Sequence, residues 1–313
     1  MKKLMVIPLV AAGMAAMVGC SKTPVKEAAK NDAINLANLD TAVAPGTDFY
    51  QYACGGWMKN NPLKPEYARF GTFDQLRDNN QEQIRTLIEG LSETPGQEGS
   101  VGQKIGMLFA MGMDSVKLNE DGYAPIKDQL AEINKLGTKD ELTKMVATLH
   151  KEGMAPFFAL YVGADEKNSS MNIVQLYQAG LGMGDRDYYL LEDESSQKMR
   201  EAYKNYITRL FTLIGSSPEQ ADAAVNAIMK IERGIAEVSF SREDLRDSQK
   251  NYNKMSIEGF KAKNDLLNWD VYFESMGMMD IKYLDAKQLS FYEGLSALMK
   301  NTTLDEQKYY LTC

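Results

Sequence analysis

The sequence predicts a mainly α-helical protein that carries one small β-hairpin. Apolar residues recur at helical spacing between Lys198 and Ile214, and this periodicity is typical of amphipathic helices. Residues 217–220 (SPEQ) combine a serine cap, a proline in the first turn and a capping-box glutamine, which together mark the start of a helix. Residues 157–177 lack this helical periodicity and contain two runs rich in aromatic and β-branched residues.

Residues 1–19 are predicted to be a lipoprotein signal peptide. Two lysines precede an apolar run from Leu4 to Val18, which is shorter than the roughly 20 residues of a membrane-spanning helix but normal for a signal peptide. Residues 17–20 (MVGC) resemble a bacterial lipobox, which would make Cys20 the acylated first residue of the mature protein. The alternative is an ordinary signal peptide with an incidental cysteine. We therefore expect a cell-envelope lipoprotein, tethered to the outer membrane and facing the periplasm or the cell surface.

Residues 20–39 are predicted to be a flexible tether, because they are small and polar and show no strong periodicity. The remaining residues, 40–313, suffice for a large domain with its own core. The net charge of −8 argues against a nucleic-acid partner, since phosphates require a basic surface.

The helices of the 40–313 region follow from caps and apolar stripes. A capping box of Thr138 and Glu141 begins a helix that ends near Gly153, and Ser217 caps a second helix that continues to Val238. Shorter helices are predicted at residues 80–92, 101–113, 125–136, 256–267 and 285–300. Two strands, Phe157–Val162 and Met171–Tyr177, flank a polar turn and predict the β-hairpin.

The segment Pro45–Arg77 (PGTDFYQYACGGWMKNNPLKPEYARFGTFDQLR) is similar to the N-terminal region of the neprilysin family. This family of zinc metalloendopeptidases includes the endothelin-converting enzymes and bacterial endopeptidases. Four further blocks follow in the order of the family: Gln178–Tyr189, Ile231–Asn253, Trp269–Phe273 and Leu304–Leu311. The resemblance implies that residues 40–313 form a multi-helix lobe of the neprilysin-like fold, incomplete at its C-terminus.

The resemblance also implies substrate-binding residues. An arginine at the position of Arg69 binds the free carboxylate of a short peptide in the family, and Phe73, Asp74 and Arg77 line the same subsites. A guanidinium fork suits this task because it grips a carboxylate with two parallel hydrogen bonds. The alternative interpretation is a structural ion pair of Arg69 or Arg77 with Asp74.

The chemistry that defines the family is missing from this sequence. The zinc site needs two histidines four residues apart with a glutamate between them, and a third carboxylate. The sequence contains one histidine, His150, with Val146 and Met154 four residues away on either side. No catalytic or metal-binding residue is therefore predicted, and we expect no zinc on this chain although the full-length family holds zinc. A histidine near the end of a helix is favoured there by the helix dipole.

The sequence stops at Cys313, three residues after Tyr310, and we interpret this as a truncation before the zinc-binding half. The predicted function is the part of a secreted zinc metalloendopeptidase that covers the substrate cavity, inactive alone, with short peptides and the C-terminal half as partners. The alternative is a non-catalytic helical lipoprotein that binds peptides or partner proteins. Pairing of Cys54 with Cys313 is left open.

Overall fold

The computed structural model describes residues 35–63 and 70–313. The chain divides into two compact units, one ending at Asp114 and one beginning at Ser115. The predicted signal peptide and Cys20 lie outside the described residues, and of the predicted tether Leu36–Asn38 forms a short 3-10 helix. Within the described ranges, no helix is both long enough and apolar enough to cross a membrane.

The described part of the first unit contains three α-helices: α1 (Phe49–Asn60), α2 (Thr72–Glu93) and α3 (Val101–Met113). The Asp48 side chain caps α1 by accepting a hydrogen bond from the backbone of Gln51. A Cβ at Gly56, in the CGGW tetrad, would lie 2.4 Å from the carbonyl oxygen of Ala37. The glycine therefore lets α1 approach the preceding 3-10 helix closely.

The second unit contains ten α-helices and four strands among its described residues. The helices are α4 (Ser115–Asp121), α5 (Lys127–Lys135), α6 (Lys139–Lys151), α7 (Asp187–Leu190), α8 (Glu194–Leu213), α9 (Pro218–Val238), α10 (Ile257–Lys263), α11 (Trp269–Met276), α12 (Leu289–Lys300) and α13 (Leu304–Thr312). The strands are β1 (Phe158–Asp165), β2 (Asn168–Gln178), β3 (Lys254–Ser256) and β4 (Tyr283–Ala286).

The strands form one sheet in the order β1-β2-β4-β3. Strands β1 and β2 are the predicted hairpin, antiparallel with Val162 opposite Val174. Strand β4 runs parallel to β2, with Leu284 opposite Val174, and β3 pairs antiparallel with β4. The sheet thus connects the hairpin to a part of the chain more than a hundred residues later.

Helix α9 lies at the centre of the second unit and packs against α8, α12 and α13. Its predicted apolar stripe is largely buried, because a residue repeats on the same helix face every three to four positions. The buried residues of α9 are Ala221, Ala224, Ala227, Ile228, Ile231, Glu232, Ile235 and Ala236. Glu232 is the charged residue of this set, and it has a role in the candidate site below.

The mainly α prediction is confirmed, with differences at the ends of elements. Helix α2 begins eight residues earlier than predicted, because the Asp74 carboxylate accepts the backbone N–H of Gly71 at 2.9 Å and caps it. The helix predicted at 285–300 starts at Leu289, because the preceding residues belong to β4. The helix predicted at 256–267 ends at Lys263. Helices α1, α4, α7 and α11 and strands β3 and β4 were not predicted.

Tyr310, near the end of α13, connects three distant parts of the second unit. Its hydroxyl accepts the backbone N–H of Phe157 at 3.0 Å and donates to the carbonyl of Gly180 at 2.9 Å. Phe157 has a φ of 65°, in the left-handed region that bulky residues rarely adopt. The buried hydroxyl therefore fixes an unusual backbone geometry at the start of the hairpin.

Candidate functional site

The described substrate-binding candidates lie in the first two turns of α2, while Arg69 lies outside the described residues. Phe73 is 88% exposed. Asp74 and Arg77 are three positions apart on one helix face, and Asp74 Oδ1 lies 3.2 Å from Arg77 Nη1. The ion pair of the alternative interpretation is thus present for Arg77. The Arg77 side chain is about half exposed, whereas that of Asp74 is 17% exposed, and Arg77 Nη2 also lies 3.4 Å from Asp78 Oδ1.

A second candidate region is a cavity of about 740 Å³ in the second unit. Its walls come from the turn before β1, the segment after β2, helices α8 and α9, residues 239–245 and the end of α13. Volumes of this size are typical of small-molecule sites. Polar groups that line it include Asp185, Arg186, Tyr203, Glu232 and Arg242.

Glu232 is a buried carboxylate in the wall of this cavity, only 3% exposed. Its Oε1 accepts hydrogen bonds from the hydroxyl of Tyr203 at 2.9 Å and from the backbone N–H of Gly182 at 3.3 Å. Its Oε2 accepts a hydrogen bond from the hydroxyl of Tyr189 at 2.7 Å. Four segments of the chain therefore meet at one carboxylate: α9, α8, α7 and the turn after β2.

The sequence of the turn suits this close packing. A Cβ at position 182 would lie 1.9 Å from the Tyr203 hydroxyl, so only glycine fits beside the carboxylate. The Tyr189 hydroxyl also accepts the backbone N–H of Met183 at 2.9 Å. The turn is thus held by two consecutive backbone N–H groups.

Burial raises the pKa of Glu232 to about 7, because the charged form loses hydration, and the three hydrogen bonds offset only part of this cost. Burial and the neighbouring Glu232 charge raise the pKa values of Tyr189 and Tyr203 far above the usual tyrosine range. At neutral pH the two phenols are therefore hydroxyl donors, and Glu232 is close to its own pKa. Perturbed carboxylates in clefts are typical of functional sites, although structural networks produce them too.

The DRDYY segment, residues 185–189, divides its side chains between the cavity and the core. Asp185 accepts a hydrogen bond from the guanidinium of Arg242, and both line the cavity together with Arg186. Tyr189 is completely buried. Sequence reasoning missed Glu232 and Tyr203 as a site. The available signal was a glutamate within the apolar stripe of α9.

His150, at the end of α6, has both ring nitrogens engaged. Nδ1 lies 2.6 Å from the Tyr272 hydroxyl and Nε2 lies 3.3 Å from the carbonyl oxygen of Pro156. Burial lowers its pKa. In the ranges that the structure describes, no three His, Cys, Asp or Glu side chains are arranged to hold a metal ion. These residues do not fit a zinc site. The thiols of Cys54 and Cys313 are both free.

Comparison with sequence models of protein families gives a match to peptidase family M13 over residues 45–313. This chain belongs to peptidase family M13. The match confirms the resemblance predicted from the CGGW and ARFGTFDQLR blocks and covers most of the sequence. The match places the chain in the N-terminal region of this family.

Endothelin-converting enzyme 1 is a curated relative of the M13 chain. The mouse protein is 32% identical over 290 residues, which cover 86% of this chain and 37% of the relative. The human protein is 32% identical over 242 residues, which cover 75% of this chain and 31% of the relative. The M13 chain thus spans about a third of the length of these relatives.

Solved structures show the same fold. The Mycobacterium tuberculosis zinc metalloprotease Zmp1, in complex with an inhibitor, matches with a TM-score of 0.78 at 24% identity, over 89% of this chain and 43% of that one. PepO from Lactobacillus rhamnosis matches with a TM-score of 0.67 at 19% identity, over 86% of this chain and 42% of that one. These likenesses confirm the mainly helical architecture of the M13 N-terminal region.

The raised pKa of Glu232 predicts a pH-dependent contribution to stability. The folded state holds the proton up to about pH 7, whereas the unfolded chain releases it near 4.5. The free energy of unfolding should therefore fall, by about 3 kcal/mol, as the pH rises from 4.5 to 8. The variant Glu232→Gln is neutral at every pH and should lack this component.

Urea unfolding of both proteins at several pH values measures the difference between their profiles. The difference between the two profiles cancels the contributions of the other titrating groups. One of these is His150, whose lowered pKa makes the free energy of unfolding rise with pH. The control Glu237→Gln removes an exposed glutamate from the same helix and should leave the wild-type profile intact. Parallel profiles for the wild type and Glu232→Gln would show that folding leaves the pKa of Glu232 unshifted and would contradict the prediction.

Proposed function

We propose that this chain is the part of a secreted zinc metalloendopeptidase that binds short peptides and covers the substrate cavity. The observation that carries the proposal is the M13 match over residues 45–313, which includes the ARFGTFDQLR segment. We further propose that residues 1–313 do not cleave peptides alone, because the family's zinc motif needs two histidines and the sequence has one.

The peptide-binding role is assigned to Arg69, Phe73, Asp74 and Arg77. The start of α2 supports this assignment, because it presents an exposed aromatic ring next to the half-exposed side chain of Arg77, which is paired with Asp74. An exposed ring offers an apolar contact for a peptide side chain, and a guanidinium fork matches a terminal carboxylate.

The proposed partner is the C-terminal half of an M13 peptidase, which would supply the zinc site. Two observations support it. The curated relatives are about three times longer than the matched region. Large apolar side chains of α2 and α3 are also exposed, among them Leu87 (63%), Leu108 (72%) and Met111 (67%). Exposed apolar surface of this kind marks an interaction site.

The first test is catalytic. The purified protein, incubated with zinc and an internally quenched peptide, should show no turnover above background, and adding the C-terminal half of an M13 peptidase should produce cleavage. Cleavage by the chain alone that a chelator abolishes would contradict the proposal. A stable monomer that binds peptides but is not activated by the second half would instead favour the non-catalytic binding protein. Sedimentation and dye binding distinguish that monomer from an aggregating half-enzyme.

The second test concerns Arg69. In the completed enzyme, Arg69→Met should weaken the binding of peptides with a free C-terminal carboxylate by about 10- to 150-fold. This factor corresponds to the loss of one charge-assisted hydrogen bond. Peptides with an amidated C-terminus should be much less affected. The control Arg85→Met removes an exposed arginine of α2 that pairs with Glu89. If the preference for the free carboxylate survives in Arg69→Met, then Arg69 is structural.

The third test concerns localisation. We propose that Cys20 is acylated and holds the protein in the cell envelope, supported by the lipobox-like MVGC at residues 17–20. Cys20→Ala should move the protein from the membrane fraction to the soluble fraction. A variant that remains in the membrane fraction would reveal another anchor and refute the lipobox interpretation.

A further inference from the structure

Strand β1 lies at one edge of the sheet in the second unit, and strand β3 lies at the other edge. Strand β3 has three residues, begins with Lys254 and leads directly into α10. Strand β1 has eight residues, and its sequence FALYVGAD contains no proline and no charge before the last residue. Short strands and lysines protect sheet edges from pairing with other chains. By this criterion the β3 edge is protected and the β1 edge is not.

The hydrogen bonds of the sheet show which backbone groups of β1 face outward. The carbonyl of Leu176 accepts the backbone N–H of Lys287 at 3.0 Å, so the even-numbered residues of β2 face β4. The odd-numbered residues of β2 therefore face β1, because successive residues of a strand point their backbone groups to alternate sides. In the hairpin, odd-numbered residues of β1 lie opposite odd-numbered residues of β2. The N–H and C=O groups of Leu160 and Val162 therefore point away from the sheet.

These outward-facing groups form an unpaired backbone edge. Within the described ranges, the backbone N–H and C=O groups of Leu160 and Val162 make no hydrogen bond to another strand or loop. The side chains of Tyr161, Val162 and Ala164 are exposed. The free stretch ends at Ala164, whose carbonyl accepts the side-chain amide of Gln175 at 3.0 Å. Such an edge is a template for one further strand.

The sequence of β1 is complementary to itself in the antiparallel direction. With a two-fold axis at Tyr161, Leu160 of one protomer lies opposite Val162 of its partner, and each such pair exchanges both N–H···O bonds. Tyr161 then faces its own copy across the axis, and Ala159 faces Gly163. All of these side chains are uncharged, so no like charges oppose each other, and aromatic and β-branched residues stabilise adjacent strands.

The one charged residue of β1 does not oppose this pairing. Asp165 is buried, and its carboxylate forms an ion pair with Lys254 of its own protomer at 2.7 Å. Pairing would also bring Val162 beside Leu160 of the partner and so cover an exposed apolar side chain. A two-fold dimer of this kind would leave only the two protected β3 edges, so assembly would stop at two copies.

We propose that two copies of this chain associate through antiparallel pairing of their β1 strands, which joins the two four-stranded sheets into one. The interface belongs to the second unit. It is separate from the apolar residues of α2 and α3, and it does not rest on the proposed peptidase role.

Sedimentation equilibrium of the purified protein carrying Cys20→Ala, in reducing buffer, tests the proposal, because this variant lacks the proposed acyl anchor. The mean mass should rise with concentration from that of one chain to that of two. Val162→Lys places a charge against Leu160 of the partner and should weaken the dimer at least tenfold. The control Val162→Thr keeps a neutral β-branched side chain and should preserve it. Val162 is 56% exposed, so both variants should fold, which circular dichroism checks.

Three results would overturn the proposal. The first is a single-chain mass up to about 1 mM protein. The second is association that is equally strong in Val162→Lys, which would assign it to another surface such as the apolar residues of α2 and α3. The third is a Val162→Lys variant that shows the wild-type mass but is no longer activated by the C-terminal half of an M13 peptidase. That half would then be the partner of β1.

Disulfide trapping tests the register. Tyr161→Cys places a thiol on the two-fold axis, where facing Cβ atoms lie about 5 Å apart, and oxidation with diamide should link two folded copies. Ala164→Cys places an exposed thiol on the same strand but about 20 Å from its copy. It should link no more than the parent protein, whose thiols of Cys54 and Cys313 set the background. Equal linking of the two variants, or none above background, would refute the pairing.

Discussion

The buried carboxylate of Glu232 determines how the central part of the second unit is arranged. It lies on the helix that contributes most to the core, and three other segments, which contain Gly182, Tyr189 and Tyr203, donate hydrogen bonds to its two oxygens. A buried charge is strongly unfavourable without such partners, so the two tyrosines and Gly182 are needed wherever this glutamate is present. Through the turn after β2, the carboxylate also positions Asp185 and Arg186 at the cavity. The shape of the cavity therefore depends on one interaction in the core.

The two units contain different candidate functional residues. The first unit presents Asp74, Arg77 and an exposed Phe73 at a helix start, and the family resemblance connects that segment with peptide binding. The second unit provides a well-packed core and a cavity of about 740 Å³ with the buried carboxylate of Glu232 in its wall. Membership of family M13 explains why helices dominate both units. The described residues themselves do not form a zinc site, and both ring nitrogens of His150 are engaged by Tyr272 and Pro156.

Local signals in the sequence predicted the elements that depend on local physics. The capping boxes of Thr138 and Ser217 are present as predicted, because a cap involves residues only three positions apart. Strands β3 and β4 escaped prediction because strands of three and four residues are stabilised by pairing with distant residues rather than by their own pattern. The hydrogen bonds to Glu232 were not predicted for the same reason, since the residues that donate them are 29 to 50 positions away in the sequence. Glu232 itself interrupts an apolar stripe, and that interruption is visible in the sequence.

Hydrogen–deuterium exchange of Gly182 and Met183 tests most directly whether the Glu232 carboxylate holds this part of the molecule. In Glu232→Leu, the N–H of Gly182 loses its acceptor and the Tyr189 hydroxyl, which receives the N–H of Met183, loses its anchor. Both amides should exchange much faster than in the wild type, while amides in the middle of α6 keep their protection and show that the fold persists. Unchanged protection at Gly182 and Met183 would contradict the account, because the turn would then be held by contacts other than the buried carboxylate.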